Sequence, residues 1–221
     1  MKRNRIMTCA AGLGILVGGC LGTYIPPPNK PEPKLISVQI DDPRVEAVKQ
    51  RYSGKSLDEV IEMVKTPEEA QEFLSCCMTY QDDKDNYDVA EYFASPAQTF
   101  KRKSGDCEDY AILAAALLKD NGYPPPVLIV DQLNVYRHAV FIYQREGKYG
   151  VISNSSLEFC LPVRKDLNDV VRGLNCEYSR YQIVDLRKFF SDWVKTSVDL
   201  SFLVDERKWT CVPQLEKPTL K

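Results

Sequence analysis

Residues Ala111 to Leu118 read Ala-Ile-Leu-Ala-Ala-Ala-Leu-Leu, a stretch with no polar side chain on any face. These residues favour a helix, and a helix that is apolar all round must be covered all round, so it runs through the inside of a domain. It opens near Cys107 and is closed by Gly122 after Asn121. Pro124-Pro125-Pro126 then breaks the chain. Three strands are predicted beyond it, at Val127–Asp131, Ala139–Gln144 and Tyr149–Ser153, the last two joined at Glu146-Gly147. A buried helix packed on an antiparallel sheet is an α+β layer architecture.

Upstream the pattern is helical. Asp42-Pro43 opens a helix to about Tyr52, and Ser56 caps another to about Lys65. Thr66-Pro67-Glu68-Glu69 starts a third, because proline suits the first helical position and acids suit the first turn. Ser95-Pro96 begins a short helix leading into Lys103-Ser104-Gly105. Downstream, Tyr178–Leu186 reads as a strand and Arg187–Lys195 as an amphipathic helix, both for packing. Neither Trp209 nor Cys211 carries a readable role.

The first twenty residues have a different character. A basic start (Lys2, Arg3, Arg5) precedes an apolar run from Ile6 to Val17, then Gly18-Gly19 and Cys20. That layout is a secretory signal, and its apolar core is short for a transmembrane span. Val17-Gly18-Gly19-Cys20 resembles a bacterial lipobox, which implies a lipidated Cys20 as the mature N-terminus. The proline-rich stretch Tyr24–Pro33 reads as an extended tether. The expected organisation is a signal over 1–19, a lipidated tether over 20–35 and one domain over 36–221, exported and held at a bacterial membrane.

With 44% hydrophobic residues, 27% charged residues and a net charge of −2, the composition is that of an ordinary globular chain. No basic stripe points to nucleic acid as a partner, and Lys101-Arg102-Lys103 reads as a solvated loop. Of the cysteines outside the leader, Cys76 and Cys77 suit either a disulfide or a buried free thiol. Cys160–Cys176 is a plausible bridge, although connectivity is not encoded in spacing, and no zinc spacing is present.

Chemistry concentrates at the start of the buried helix, in Gly105-Asp106-Cys107-Glu108-Asp109-Tyr110-Ala111. Asp106 is positioned to cap, with Asp109 in the capping-box place, so Cys107 falls in the first turn. Free backbone N–H groups and the helix dipole there favour a thiolate and could receive an oxyanion. A thiol nucleophile needs a base, and the chain has one histidine, His138. If Glu146-Gly147 forms a two-residue hairpin turn, Arg145 pairs with Lys148 and His138 faces position 155. A change of one residue in loop length sets it against Asn154 instead, and a slip of one reverses the face. The polar run Ser153-Asn154-Ser155-Ser156 therefore lies beside His138, with Asn154 the candidate to orient the imidazole.

Tyr92-Phe93-Ala94-Ser95-Pro96-Ala97-Gln98-Thr99-Phe100, the Gly105–Ala111 motif, the apolar helix and His138-Ala139-Val140 together resemble the transglutaminase-like superfamily, nearest in character to bacterial transglutaminase-like cysteine proteinases. The resemblance covers residues 86–156 and implies a papain-like α+β core. Its triad runs Cys–His–Asp or Cys–His–Asn in chain order, here Cys107 as nucleophile, His138 as base and Asn154 as orienting member. Asparagine departs from the commoner aspartate, and Asp131 is a weaker candidate because it precedes the histidine. Gln98 and Tyr92 are candidates for a second oxyanion donor. Some resembling proteases bind calcium beside the cysteine, which marks Asp106, Glu108 and Asp109; acids in a first helical turn otherwise complement the dipole. No other cofactor is expected. The implied function is an extracytoplasmic, membrane-anchored cysteine peptidase or amidase acting on protein or peptide through an acyl-enzyme. The alternatives are a transglutaminase with an amine acceptor and a catalytically silent peptide-binding or envelope-binding domain.

Overall fold

Three helices begin where the sequence supplies a reciprocal cap. In this computed structural model, which describes residues 43–132, 136–154, 159–174, 177–188, 192–195, 199 and 201–213, α1 spans Pro43–Tyr52, α2 Leu57–Met63 and α3 Pro67–Cys77. Ser56 with Glu59 forms a capping box on α2, and Thr66 with Glu69 forms one on α3. Each satisfies two N–H groups that would otherwise lack partners, worth about 1 kcal/mol. A two-residue strand β1 (Thr79–Tyr80) and a short helix α4 (Asp83–Tyr87) follow, neither visible in the sequence pattern. Helix α5 (Pro96–Arg102) carries the third capping box, Ser95 with Gln98. Strand β2 (Ser104–Gly105) pairs in parallel with β1.

Helix α6 (Cys107–Leu118) is the predicted buried helix, and every residue in it after Cys107 is buried. It packs with α1, α2, α3 and α5 on one side of the sheet. Burying a leucine such as Leu113 or Leu117 stabilises by about 1.5–3 kcal/mol, so Leu113→Ala should cost about 2–5 kcal/mol.

The sheet contains β3 (Pro126–Asp131), β4 (Arg137–Arg145), β5 (Lys148–Ile152), β6 (Arg180–Asp185) and β7 (Thr210–Cys211), antiparallel in the order β5-β4-β3-β6-β7. Glu146 and Gly147 both adopt positive φ, 53° and 73°, which closes a two-residue hairpin and pairs Arg145 with Lys148 as expected. Alternation divides the strands between two cores. Ile129, Phe141, Tyr143 and Ile152 pack toward α6, whereas Leu128, Val130, Val140 and Ile142 pack with Val170 and Val171 of α7 (Leu167–Leu174). This second layer was not foreseen.

The helix expected over Arg187–Lys195 is replaced by a single 3-10 turn, Leu186–Lys188, and a turn over 192–195; residues 189–191 lie outside the described set. The signal, tether and Cys20 also lie outside it, as do Cys176, Ser155 and Ser156. Cys160 is a free, exposed thiol, and Cys77, Cys107 and Cys211 are free as well. No helix among the described residues is long and apolar enough to cross a membrane.

Candidate active site

The β1–β2 pair fixes the entry to α6. Thr79 N–H donates to Lys103 C=O at 2.9 Å and Gln81 N–H to Gly105 C=O at 3.0 Å, which brings Tyr80 alongside the helix start. Cys107 and His138 both line one cleft of about 410 Å³, together with Tyr80, Phe93 and Arg137. The backbone of Ala139, the residue after His138, lies near enough to the Cys107 thiol to favour its ionised form. The thiol itself donates to Glu108 Oε2 at 2.9 Å.

Neither group carries charge at neutral pH in this arrangement. Burial pushes the Cys107 thiol well up, Glu108 and Asp106 add to that, and the Ala139 backbone opposes it. Burial alone lowers His138 to about 4. Its Nε2 lies 3.2 Å from Ser153 Oγ, while Nδ1 is buried and without a hydrogen-bond partner among the described residues.

The side chain in contact with His138 is therefore Ser153, one residue before the expected Asn154. The β4–β5 ladder ends at the pair Phe141 and Ile152. Counted from that pair, Ser153 is one residue on and His138 three, so both alternate to the same face, whereas Asn154 does not. Asn154 Oδ1 is buried with no partner among the described residues. Asp131, the other candidate, is held by Arg137 Nε at 3.2 Å and Arg180 Nε at 2.6 Å at the end of β3.

Gln98 and Tyr92 are also occupied elsewhere. Gln98 Oε1 accepts the Ser95 N–H at 3.0 Å to complete the α5 cap, and its Nε2 donates to Tyr92 Oη at 2.8 Å. Tyr92 packs on Tyr87 with ring centroids 4.4 Å apart. The Ser95-x-x-Gln98 signature announces this capping role in the sequence itself. Tyr80 and Tyr136 both line the cleft and were missed by sequence reasoning; Tyr80 reaches the site through long-range strand pairing, which leaves no local signal.

The acidic residues divide in a way spacing did not reveal. Asp106 occupies the N-cap of α6 but makes no capping hydrogen bond, so the expected capping box is absent. Asp83, Asp106 and Asp109 instead bring carboxylate oxygens within 4.8 Å of one another, and Glu108 groups with Asp106 and Cys107. Asp83 Oδ1, Asp106 Oδ1 and Asp109 Oδ2 are all buried without a hydrogen-bond partner among the described residues. Asp83 does accept the Tyr92 N–H, and Asp109 Oδ1 accepts the Ala94 N–H at 2.8 Å. Burial, reinforced by the neighbouring carboxylates, raises Asp83 to about 7, Asp109 to about 8 and Asp106 to about 9. Gly105 makes the cluster possible, since a Cβ there would lie 2.5 Å from Asp109 Oδ2. Several buried carboxylate oxygens lacking donors are hard ligands suited to calcium. Asp83, on α4, is the member that sequence reasoning missed.

A model of the transglutaminase-like domain family matches residues 50–161, just over half of the chain. Among solved structures, Legionella pneumophila LapG is similar at 18% identity over 52% of this chain and 75% of that one, with a TM-score of 0.38. Its EGTA-treated form gives 15% identity over 66% and 91% of the two chains, TM-score 0.42. Its calcium-bound form gives 16% identity over 63% and 81%, TM-score 0.41. No curated protein sequence matches.

Proposed function

Because the chain belongs to the transglutaminase-like domain family, we propose that it is a cysteine hydrolase of peptide or amide bonds in which Cys107 attacks, His138 carries the proton and Ser153 orients the ring. What carries this reading is that Cys107 and His138 line one cleft, with the imidazole Nδ1 buried and without a hydrogen-bond partner among the described residues. With the ring proton on Nε2 and donated to Ser153 Oγ, Nδ1 is free to accept.

The chemistry then balances simply. The thiol proton passes to Nδ1 as sulfur bonds to the carbonyl carbon, and the carbonyl electron pair moves onto oxygen. Backbone N–H groups at the start of α6 receive that oxyanion. Collapse breaks the C–N bond, the departing amine takes the proton from Nδ1, and an acyl-enzyme remains. Water, giving its proton to Nδ1, releases the acid and restores the thiol.

Asp83, Asp106 and Asp109 fit calcium, which when bound supplies positive charge against the carboxylates that hold the thiol neutral. The domain faces the outside of a bacterial membrane, anchored through lipid on Cys20; the apolar run ending in Val17-Gly18-Gly19-Cys20 supports this. A Cys20→Ser protein should then leave the membrane fraction.

The deciding test is the pH dependence of Cys107 alkylation by iodoacetamide in calcium-containing buffer, with His138→Ala alongside. Reaction well below the free-cysteine value of about 8.5, lost without His138, supports the enzyme. Reaction only near that value, unchanged by the substitution, leaves a binding domain on an enzyme scaffold. That rival draws its support from the Cys107–Glu108 hydrogen bond.

A further inference from the structure

We propose that Gln71 is a positioning residue for the active site, acting through Ser153 on the imidazole of His138; the proposal rests on the hydrolase reading above. The Gln71 side chain is buried, on α3. Its Oε1 accepts the Ser153 N–H at 3.3 Å and its Nε2 donates to the Ser153 C=O at 3.2 Å. The same Nε2 meets Ser75 Oγ at 2.9 Å. Together the two backbone contacts reproduce the pair of bonds that a neighbouring strand exchanges with one residue.

Ser153 needs that support. Strand β5 is the edge of the sheet, and its ladder with β4 ends at Ile152. A serine hydroxyl sits one rotatable bond from the backbone, so the position of Ser153 Cα determines whether Oγ reaches His138 Nε2. The 3.2 Å contact between them holds the ring in place, and with the proton on Nε2 the Ser153 hydroxyl accepts it. Helix α3 thereby positions a base on β4, through an amide outside the lining of the cleft. Gln71 works on the orienting group, as the outer members of a catalytic network do.

The single histidine makes the test clean, because selective ¹⁵N labelling yields one pair of ring-nitrogen resonances. In the full protein these should show a fixed tautomer protonated at Nε2. Gln71→Leu removes both contacts, and Gln71→Glu keeps the size and the acceptor but cannot donate to the Ser153 C=O. Both should move the resonances toward tautomer averaging and lower kcat by about 10- to 100-fold with KM little changed. In a Ser153→Ala background, Gln71→Glu should add almost nothing, since the two act in series. Folded Gln71 variants with unmoved resonances and unchanged kcat would overturn the proposal. If circular dichroism shows that neither variant folds, Ser153→Ala alone decides, because an unaltered tautomer there removes the route by which Gln71 acts. The nitrogen resonances need no substrate, so they answer for Gln71 even if Cys107 hydrolyses nothing; the alkylation experiment answers for the hydrolase.

Discussion

Asp131 and Asp109 are both fully buried, yet their surroundings are opposite. Asp131 is clamped by Arg137 and Arg180, whose guanidinium carbons lie 5.6 Å and 4.6 Å from the Trp209 ring centroid. Asp109 faces Asp83 and Asp106, and each of the three keeps an oxygen without a hydrogen-bond donor among the described residues. A buried charge is costly unless something compensates it. In the first cluster the fold supplies the compensation itself, which makes Asp131 structural. In the second the fold leaves the compensation to protons or to a bound cation, which makes the cluster a site.

Removing Asp131 should give the largest effect, because Arg180 and Arg137 both lose a fully buried carboxylate partner, while Arg137 keeps Glu206 at 2.6 Å. Asp131→Ala is expected to cost about 3–5 kcal/mol in urea unfolding. Calcium should come next: at about 100 times its Kd it adds about 2.7 kcal/mol, visible as a rise in Tm of roughly 5–10 °C. Asp83→Asn should abolish that rise, and an unchanged calcium response would dissolve the contrast. A smaller effect with a change of sign is expected for Asp106→Asn, which makes no cap to lose. In EGTA it should stabilise on the order of 1 kcal/mol, because a neutral amide need not take up a proton to be buried, whereas with calcium it should destabilise.

The half-exposed Glu68–Arg145 pair is the control for both clusters. Arg145 hydrogen bonds, at 2.6 Å and 2.8 Å, hold Glu68 below the usual carboxylate range. Its folded pKa is therefore depressed, so the contribution is present above the unfolded value of about 4.3 and is lost as pH falls through the folded value. Solvent screening keeps it near 0.5 kcal/mol or less, so Arg145→Ala should barely move urea unfolding at pH 7.

The legibility of this chain follows the range of the interactions involved. Ser56, Thr66 and Ser95 act within three residues, and their helices start where the sequence places them. The buried α6 and the Glu146-Gly147 hairpin are likewise local, and the hairpin carried the correct register. The difference between Ser153 and Asn154 was lost because parity alone separates them and the loop length was uncertain by one. Gln71, Tyr80 and Asp83 reach the site through partners far along the chain, and no window of sequence displays them. Helix α7 escaped because its apolar face finds a partner only once the second face of the sheet exists.

The tight approach of Gly105 to Asp109 has a genetic consequence. The two positions should behave as one locus: alanine at 105 is excluded while any residue with a Cβ stands at 109, because the Asp109 Cβ itself would lie 2.5 Å away, and becomes admissible once glycine stands there. A paired saturation library scored for folding would show this as epistasis confined to one corner of the grid. It would distinguish a glycine required by its neighbour from one required by its own backbone.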